Sequence, residues 1–439
     1  MRVVGGQNDA RSVPSQRDKQ LPQAGRKGNF RVRGNDPGGS LVLRYLGMPV
    51  STEKNLCLSE ISPGAIQSEI RAMTVECDRL GGVNLAQGVC DTPLPGPVEE
   101  SAILAIREGH NIYTRADGIA SLRKAIAEKL ERHNHIKADP ESEIVVTSGA
   151  TAAFYSACLA LFNPGDEILL FEPFYGYHVN TLLSLRIKPV TIPLAEATWE
   201  IDFAALRASI TPRTRAIVVN TPSNPCGKVF TLAELETIAG FAIENDLFVV
   251  TDEIYEYFLF AGARHISIAA LPGMRERTIT ISGFSKTFSM TGWRAGYLTA
   301  SSKWVPAIAY FHDLVYVCSP SPFQHAAAAG LRELPETFYQ GLSIEYQEKR
   351  DLLCDGLRAA GMTPAVPGGA YYVLADVSGI PGTTSKEKAR SLLRSTGVAA
   401  VAGTAFYGGG RGDNVLRFCF AKNDADLERA CAALRGFHT

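Results

Sequence analysis

Thr278-Ile279-Thr280-Ile281-Ser282-Gly283-Phe284-Ser285-Lys286-Thr287-Phe288-Ser289-Met290-Thr291-Gly292-Trp293-Arg294-Ala295-Gly296-Tyr297 runs from a β-rich segment into a loop where one lysine sits among hydroxyls, aromatics and glycines. Arg294 follows, and no carboxylate lies inside the segment. A lysine so placed loses its charged form to desolvation and to the neighbouring cation, which leaves a nucleophilic amine of the kind that forms Schiff bases. By itself the S-x-x-S-K pattern reads first as a basic surface loop. The rest of the chain decides between the two.

Upstream, strand-like runs at 143–147, 167–171, 215–220 and 247–251 alternate with helical stretches and lead to the run at 278–281. That alternation predicts an α/β domain with a largely parallel, mixed sheet. Thr231 with Glu234 forms a capping box that starts the helix between the third and fourth strands. Before the series, helices are expected over 66–80, 98–108 and 119–134, with a short extended segment at 83–91. Beyond Pro320 the pattern becomes two helices (323–333, 344–360), a strand (370–376), a helix (386–396), a strand (415–420) and a last helix (424–435), which reads as a smaller α+β domain. The expected division is a basic arm at 1–45, a segment at 46–95 packing with the small domain, a large cofactor-binding domain at 96–325 and the small domain at 326–439.

Charge and composition exclude some classes. The 439 residues carry a net charge of −1, so no global field argues for nucleic acid or an anionic membrane as partner. The nine cysteines are scattered without a C-x-x-C pair, which fits reduced thiols in a cytoplasmic protein. No apolar run is long enough to span a bilayer, and no signal-peptide core follows the first methionine. The arginine-rich arm reads as a mobile tail, with a transit peptide, an anion-binding tail or a start codon placed too far upstream as alternatives.

In doubly wound sheets ligands bind beyond the carboxyl ends of the strands. The five ends here supply Ser148-Gly149-Ala150-Thr151 at a helix start, aromatic Phe174-Tyr175-Gly176-Tyr177-His178, Asn220 to Asn224, Asp252 with Tyr255, and Lys286. Small residues at a helix N-terminus let backbone amides approach a phosphate. With an aromatic face, an amide, an acid and a lysine, the set matches what pyridoxal 5'-phosphate requires. A nicotinamide enzyme would carry a G-x-G-x-x-G turn after a strand, and none is found.

Further motifs agree: Asn84-Leu85-Ala86-Gln87-Gly88, Tyr113 to Gly118, Pro367-Gly368-Gly369-Ala370-Tyr371-Tyr372 and Leu416-Arg417-Phe418. In order and spacing, from about 84 to 417, the chain resembles fold-type I pyridoxal-phosphate enzymes of the class I and II aminotransferase group. The resemblance implies an internal aldimine on Lys286, which then relays the substrate proton; Asp252 at the pyridine nitrogen; Tyr255 and Asn224 at the ring oxygen; and Tyr175 stacked on the ring. It implies a phosphate site of Gly149, Ala150, Thr151, Ser285 and Arg294, completed by Tyr113 from a second subunit in a homodimer with shared sites. Arg417 would grip the substrate α-carboxylate, with Gly88 beside the substrate. Blander roles exist for each type: a helix cap for Asp252, core packing for Tyr175, a surface ion pair for Arg417.

The family's N-P-T-G stands here as Asn224-Pro225-Cys226-Gly227, read as a structural substitution. His178 is a second acid–base candidate, though loop histidines more often are not, and Arg115 is a candidate reader of an acidic substrate side chain. The function implied is amino transfer from an L-amino acid, neutral or aromatic by the tyrosines Tyr175, Tyr371 and Tyr372, to a 2-oxo acid. Elimination or cyclisation on the same scaffold is the alternative, and a regulatory module is disfavoured by the absence of a helix-turn-helix pattern.

Overall fold

The computed structural model describes residues 69–437 except Ala197, together with residues 56, 58, 59, 61 and 62. The expected arm at 1–45 lies outside the described residues, as do 66–68, the first turn of the expected 66–80 helix. The chain divides into Met1–Leu58 and Ser59–Thr439, and every described helix and strand belongs to the second unit.

The strands, in chain order, are β1 (Val83–Asn84), β2 (Ile144–Thr147), β3 (Glu167–Glu172), β4 (Lys188–Pro193), β5 (Thr214–Asn220), β6 (Phe248–Asp252), β7 (Thr278–Gly283), β8 (Gly296–Thr299), β9 (Thr363–Ala365), β10 (Tyr372–Asp376), β11 (Val398–Ala399), β12 (Val401–Ala402) and β13 (Val415–Cys419). A seven-stranded sheet takes the order β2-β8-β7-β6-β5-β3-β4. It is parallel from β7 through β4, while β8 runs antiparallel to both β2 and β7. The inner strands β3, β7 and β8 are buried along their whole length, and β5 and β6 along most of theirs, as expected of a sheet covered on both faces.

All five expected strands are present, and two more appear. β4 carries Pro189 and Pro193 and sits at the sheet edge, where a missing N–H costs no ladder bond, so proline obscured a real strand. β8 begins at Gly296, inside the motif that carries Lys286 and Arg294. A Cβ there would lie 2.7 Å from the Ala150 backbone nitrogen, so the glycine lets β8 press against the start of helix Ala150–Leu161. The Thr231–Glu234 capping box is formed. The expected 119–134 helix is α-helical only over Ala120–Lys129 and finishes as a π-turn, Leu130–Asn134, because Lys129 and Asn134 turn inward to a buried polar cluster.

A four-stranded antiparallel sheet, β12-β13-β10-β9, packs apart from the first. The N-terminal segment packs with this part of the chain: β1 pairs parallel with β11 as a separate two-stranded sheet, and Met73, Cys77 and Leu85 share a core with Leu353, Val398 and Phe418. Glu76 on helix Glu69–Leu80 also pairs with Arg390 and Arg394.

Candidate active site

Parallel pairing aligns the carboxyl ends of β5, β6 and β7, with Asn220 opposite Asp252 and Asp252 opposite Ile281. Lys286 follows three residues after β7 ends at Gly283. β8 then returns antiparallel, Gly283 opposite Gly296, which brings Arg294 back beside the N-terminus of helix Ala150–Leu161. Gly149 caps that helix at φ 84°, and a Cβ on it would stand 2.5 Å from Arg294 Nη2. The glycine therefore opens a cradle between backbone amides and a guanidinium, suited to a tetrahedral anion.

These pieces border one cavity of about 590 Å³. Its wall includes Gly88, Ala150, Thr151, Tyr175, His178, Asn220, Asn224, Asp252, Tyr255, Ser285, Lys286, Arg294, Tyr372 and Arg417. Among all lining residues the charged side chains are four cations, Arg71, Lys286, Arg294 and Arg417, and one carboxylate, Asp252. Such a wall favours a ligand with several negative charges.

The half-buried Lys286 donates from Nζ to the Gly88 carbonyl (3.0 Å) and lies 5.6 Å over the Tyr371 ring. Desolvation holds its amine below the ordinary lysine range; Cys90 and Cys419 oppose the shift and Arg294 and Arg417 add to it. Asp252 accepts from the Ile254 backbone N–H (3.2 Å) and contacts His178 Nε2 at 3.1 Å. His178, in helix Gly176–Ser184, is clamped between the rings of Phe154 (4.4 Å) and Tyr175 (5.1 Å). Its spacing three residues after Tyr175 at a helix start was the available signal for a role in the site.

Tyr255 and Tyr372 share a hydrogen bond between hydroxyls (3.1 Å), and burial pushes the Tyr255 hydroxyl well above the usual tyrosine range. Arg417 is 1 % exposed. Its Nη1 donates to Asn224 Oδ1 (2.9 Å) and its Nη2 to the Ala86 carbonyl (2.7 Å), while the guanidinium lies 4.2 Å from the Tyr372 ring centre. Its Nε is buried without a hydrogen-bond partner, and no carboxylate pairs with it among the described residues. A buried cation held by amide and carbonyl groups alone is an unfinished site.

Not every expected residue joins the group. Tyr113 is 80 % exposed and does not line the cavity of its own chain. Arg115, which falls near the expected subunit boundary, is engaged with Asp117 (2.6 Å) and Glu141 (3.1 Å) and does not line the cavity of its own chain. Cys226 is fully buried and burial raises its thiol, as a structural residue requires. Tyr371 is buried too and hydrogen-bonds the Gly88 carbonyl (3.2 Å) rather than facing the cavity. Arg71 was not singled out for the site, since it sits in an ordinary amphipathic helix, and Tyr372 was named only together with Tyr371, because two adjacent tyrosines give no sign of which one faces inward.

The sequence matches the model of aminotransferase class I and II over residues 81–434. It is 36 % identical over 368 residues to aromatic-amino-acid aminotransferase 2 of Thermococcus litoralis, covering 83 % of this chain and 93 % of that protein. The structure of N-succinyldiaminopimelate aminotransferase from Mycobacterium tuberculosis superimposes with a TM-score of 0.83 at 35 % identity, covering 87 % of this chain and 100 % of that one. Aspartate aminotransferase from Thermus thermophilus with maleate gives 0.81 at 32 %, with 87 % and 100 % covered. With a lysine, an acid and two arginines converging at the strand ends of the same fold, the chain belongs to the class I and II aminotransferases and is an enzyme of amino-group transfer.

Proposed function

We propose that the enzyme uses pyridoxal 5'-phosphate, held by Lys286, to exchange an amino group between an L-amino acid and a 2-oxo acid, and that it works as a cytoplasmic homodimer. The observation that carries this is the convergence on one cavity of a lysine whose amine burial lowers, a carboxylate fixed by His178, and the Gly149–Arg294 cradle. Those residues fit the cofactor: the cradle, with Ala150, Thr151 and Ser285, suits its phosphate; Asp252 its ring nitrogen; Tyr255 its ring oxygen; and Tyr175 its ring face. Asn224 spends its oxygen on Arg417, which leaves its amide N–H₂ to donate to the ring oxygen. When bound, pyridoxal phosphate supplies an electron sink that acidifies the bond at the substrate Cα.

The protein's own groups do the rest. His178, 3.1 Å from the Asp252 carboxylate, keeps that acid oriented toward the ring nitrogen. The Arg417 fork takes the α-carboxylate and so fixes where Cα stands. Lys286, whose amine burial holds below the ordinary lysine range, would take the Cα proton and hold it for return. Gly88 must lack a side chain for this: a Cβ there would lie 1.9 Å from the Tyr372 hydroxyl.

The dimer accounts for exposed apolar side chains on helix Gly96–Arg107 and just after it, Ile103, Leu104, Ile106, Ile112 and Tyr113. In it Tyr113 would reach the phosphate of the neighbouring subunit. Among the described residues no helix is long and apolar enough to cross a membrane. The domain boundaries proposed remain 46–95 with 326–439, and 96–325. Neutral or aromatic donors are our first candidates, in keeping with the aromatic-amino-acid relative.

Incubating the loaded enzyme with an amino-acid panel tests the reading. Pyridoxamine phosphate and the matching 2-oxo acid are expected; ammonia with a 2-oxo acid and no pyridoxamine phosphate would overturn it.

A further inference from the structure

Tyr175 and Arg417 stand on one cavity but belong to different sheets, Tyr175 just past β3 and Arg417 on β13. The loop 403–414, between β12 and β13, joins them. Its Phe406 ring lies 4.9 Å from the Arg417 guanidinium, while the Phe406 carbonyl accepts from the backbone N–H of Phe174, the neighbour of Tyr175, at 2.9 Å. On the other side of Tyr175, a Cβ on Gly176 would stand 3.3 Å from the Ala405 carbonyl, so the two backbones run in close approach. Gly408, Gly409, Gly410 and Gly412 give the rest of the loop little stiffness of its own, and the last three hold positive φ. What fixes that part is Glu172, the buried last residue of β3: its Oε2 accepts from the Gly408 N–H (2.9 Å), and its Oε1 faces the Arg411 guanidinium as a charge contact outside hydrogen-bond alignment.

We infer that Glu172 is a positioning residue for amino transfer: by holding the 408–411 turn it sets the spacing between the Tyr175 face, where the cofactor ring would lie, and the Arg417 fork that takes the α-carboxylate. The inference rests on the proposed function, which supplies both of those roles. Transfer requires the breaking bond at Cα to stand across the cofactor ring, and that angle depends on two seats at once, one for the ring and one for the carboxylate. A displacement of about 1 Å between such seats costs up to ~10²-fold in rate even where each still binds. Glu172 lies outside the cavity wall and acts through the loop. Both of its oxygens are used, so a neutral side chain in its place would keep the Gly408 contact at most and would release Arg411, whose half-exposed guanidinium then turns to solvent.

The test loads wild type and variants with pyridoxal 5'-phosphate and mixes each with the best donor of the amino-acid panel, so that stopped-flow spectra give the donor Kd and the limiting rate of pyridoxamine phosphate formation per loaded site. Cofactor Kd is titrated separately. Glu172→Ala should lower the limiting rate about tenfold with the cofactor Kd within about twofold of wild type. Glu172→Gln, which keeps an acceptor for Gly408, should lose about threefold, and so should Arg411→Gln, a change at a half-exposed position that leaves the core intact. Limiting rates of Glu172→Gln and Arg411→Gln both within about 1.5-fold of wild type overturn the inference, and so does a loss matched by weaker cofactor binding, which would make Glu172 part of the cofactor seat. Amino transfer stands in either case. A wild type that forms pyridoxamine phosphate with no donor overturns the proposed function and this inference together.

Discussion

Lys286 and Lys129 both leave bulk water near the residues that follow β6, and their surroundings are opposite. Lys129 Nζ contacts Glu256, Asn134 (2.8 Å) and Tyr297 (3.1 Å). Around that contact Glu253 takes hydrogen bonds from Ser267 (2.8 Å) and meets His265 at 2.9 Å, and Glu256 takes one from Ser282 (2.8 Å). Burial alone would lower the Lys129 amine, but Glu256, Tyr257 and Glu253 outweigh it and hold it above the ordinary range. Lys286 has a backbone carbonyl and an aromatic ring as its contacts, with no carboxylate paired to it among the described residues and with Arg294 and Arg417 adding to the effect of burial, so its amine is depressed. The residue type is the same. What separates a structural lysine from a reactive one is whether a carboxylate meets it.

Swapping out each lysine should break the molecule in different ways. Lys286→Ala is expected to cut turnover by at least ~10³-fold while leaving urea denaturation of the cofactor-free protein unchanged or slightly stabilised, since a desolvated amine is removed. Lys129→Met should do the reverse: it strands Glu256 in the interior and should cost about 3–5 kcal/mol of stability, with turnover per folded molecule largely kept. Equal effects of the two changes on both readouts would erase the distinction.

A smaller effect is expected from acid. Burial would raise the Glu256 carboxyl, but Lys129 first, then His133 and His265, hold it far below the ordinary range. Its folded pKa lies below its unfolded one, so its stabilisation is complete above the unfolded pKa and is lost as pH falls through the folded value. Lys129 is shifted upward, so its share persists through neutral pH and is lost only as pH rises past its folded pKa. Wild-type stability should therefore decline between about pH 4.5 and pH 2 more steeply than that of Glu256→Gln, read from denaturation midpoints across that range.

Of these two lysines, the sequence announced one. Lys286 stood out because its loop contains no acid, and the strand ends around it could be read in order. The strands of the seven-stranded sheet were legible through continuous apolar runs, except β4, masked by edge prolines, and β8, masked by its opening glycine, while the short β9, β11 and β12 were not foreseen. Lys129 gave no warning: nothing in its local sequence points to the carboxylate of Glu256, far along the chain, that meets it in the interior. His178 was legible as a candidate but not as the partner of Asp252, because a contact across 74 positions leaves no local periodicity. Arg71 shows the same limit, since which face of a short helix meets a cavity depends on packing with a sheet built from the other end of the chain.

The central claim is that Lys286, of all the lysines, holds the cofactor. Incubation with pyridoxal 5'-phosphate, borohydride reduction and peptide mapping test it directly. The cofactor mass should fall on the peptide containing Lys286 and disappear from Lys286→Arg; stable labelling of Lys129 or another lysine, with Lys286 unmodified, would contradict it.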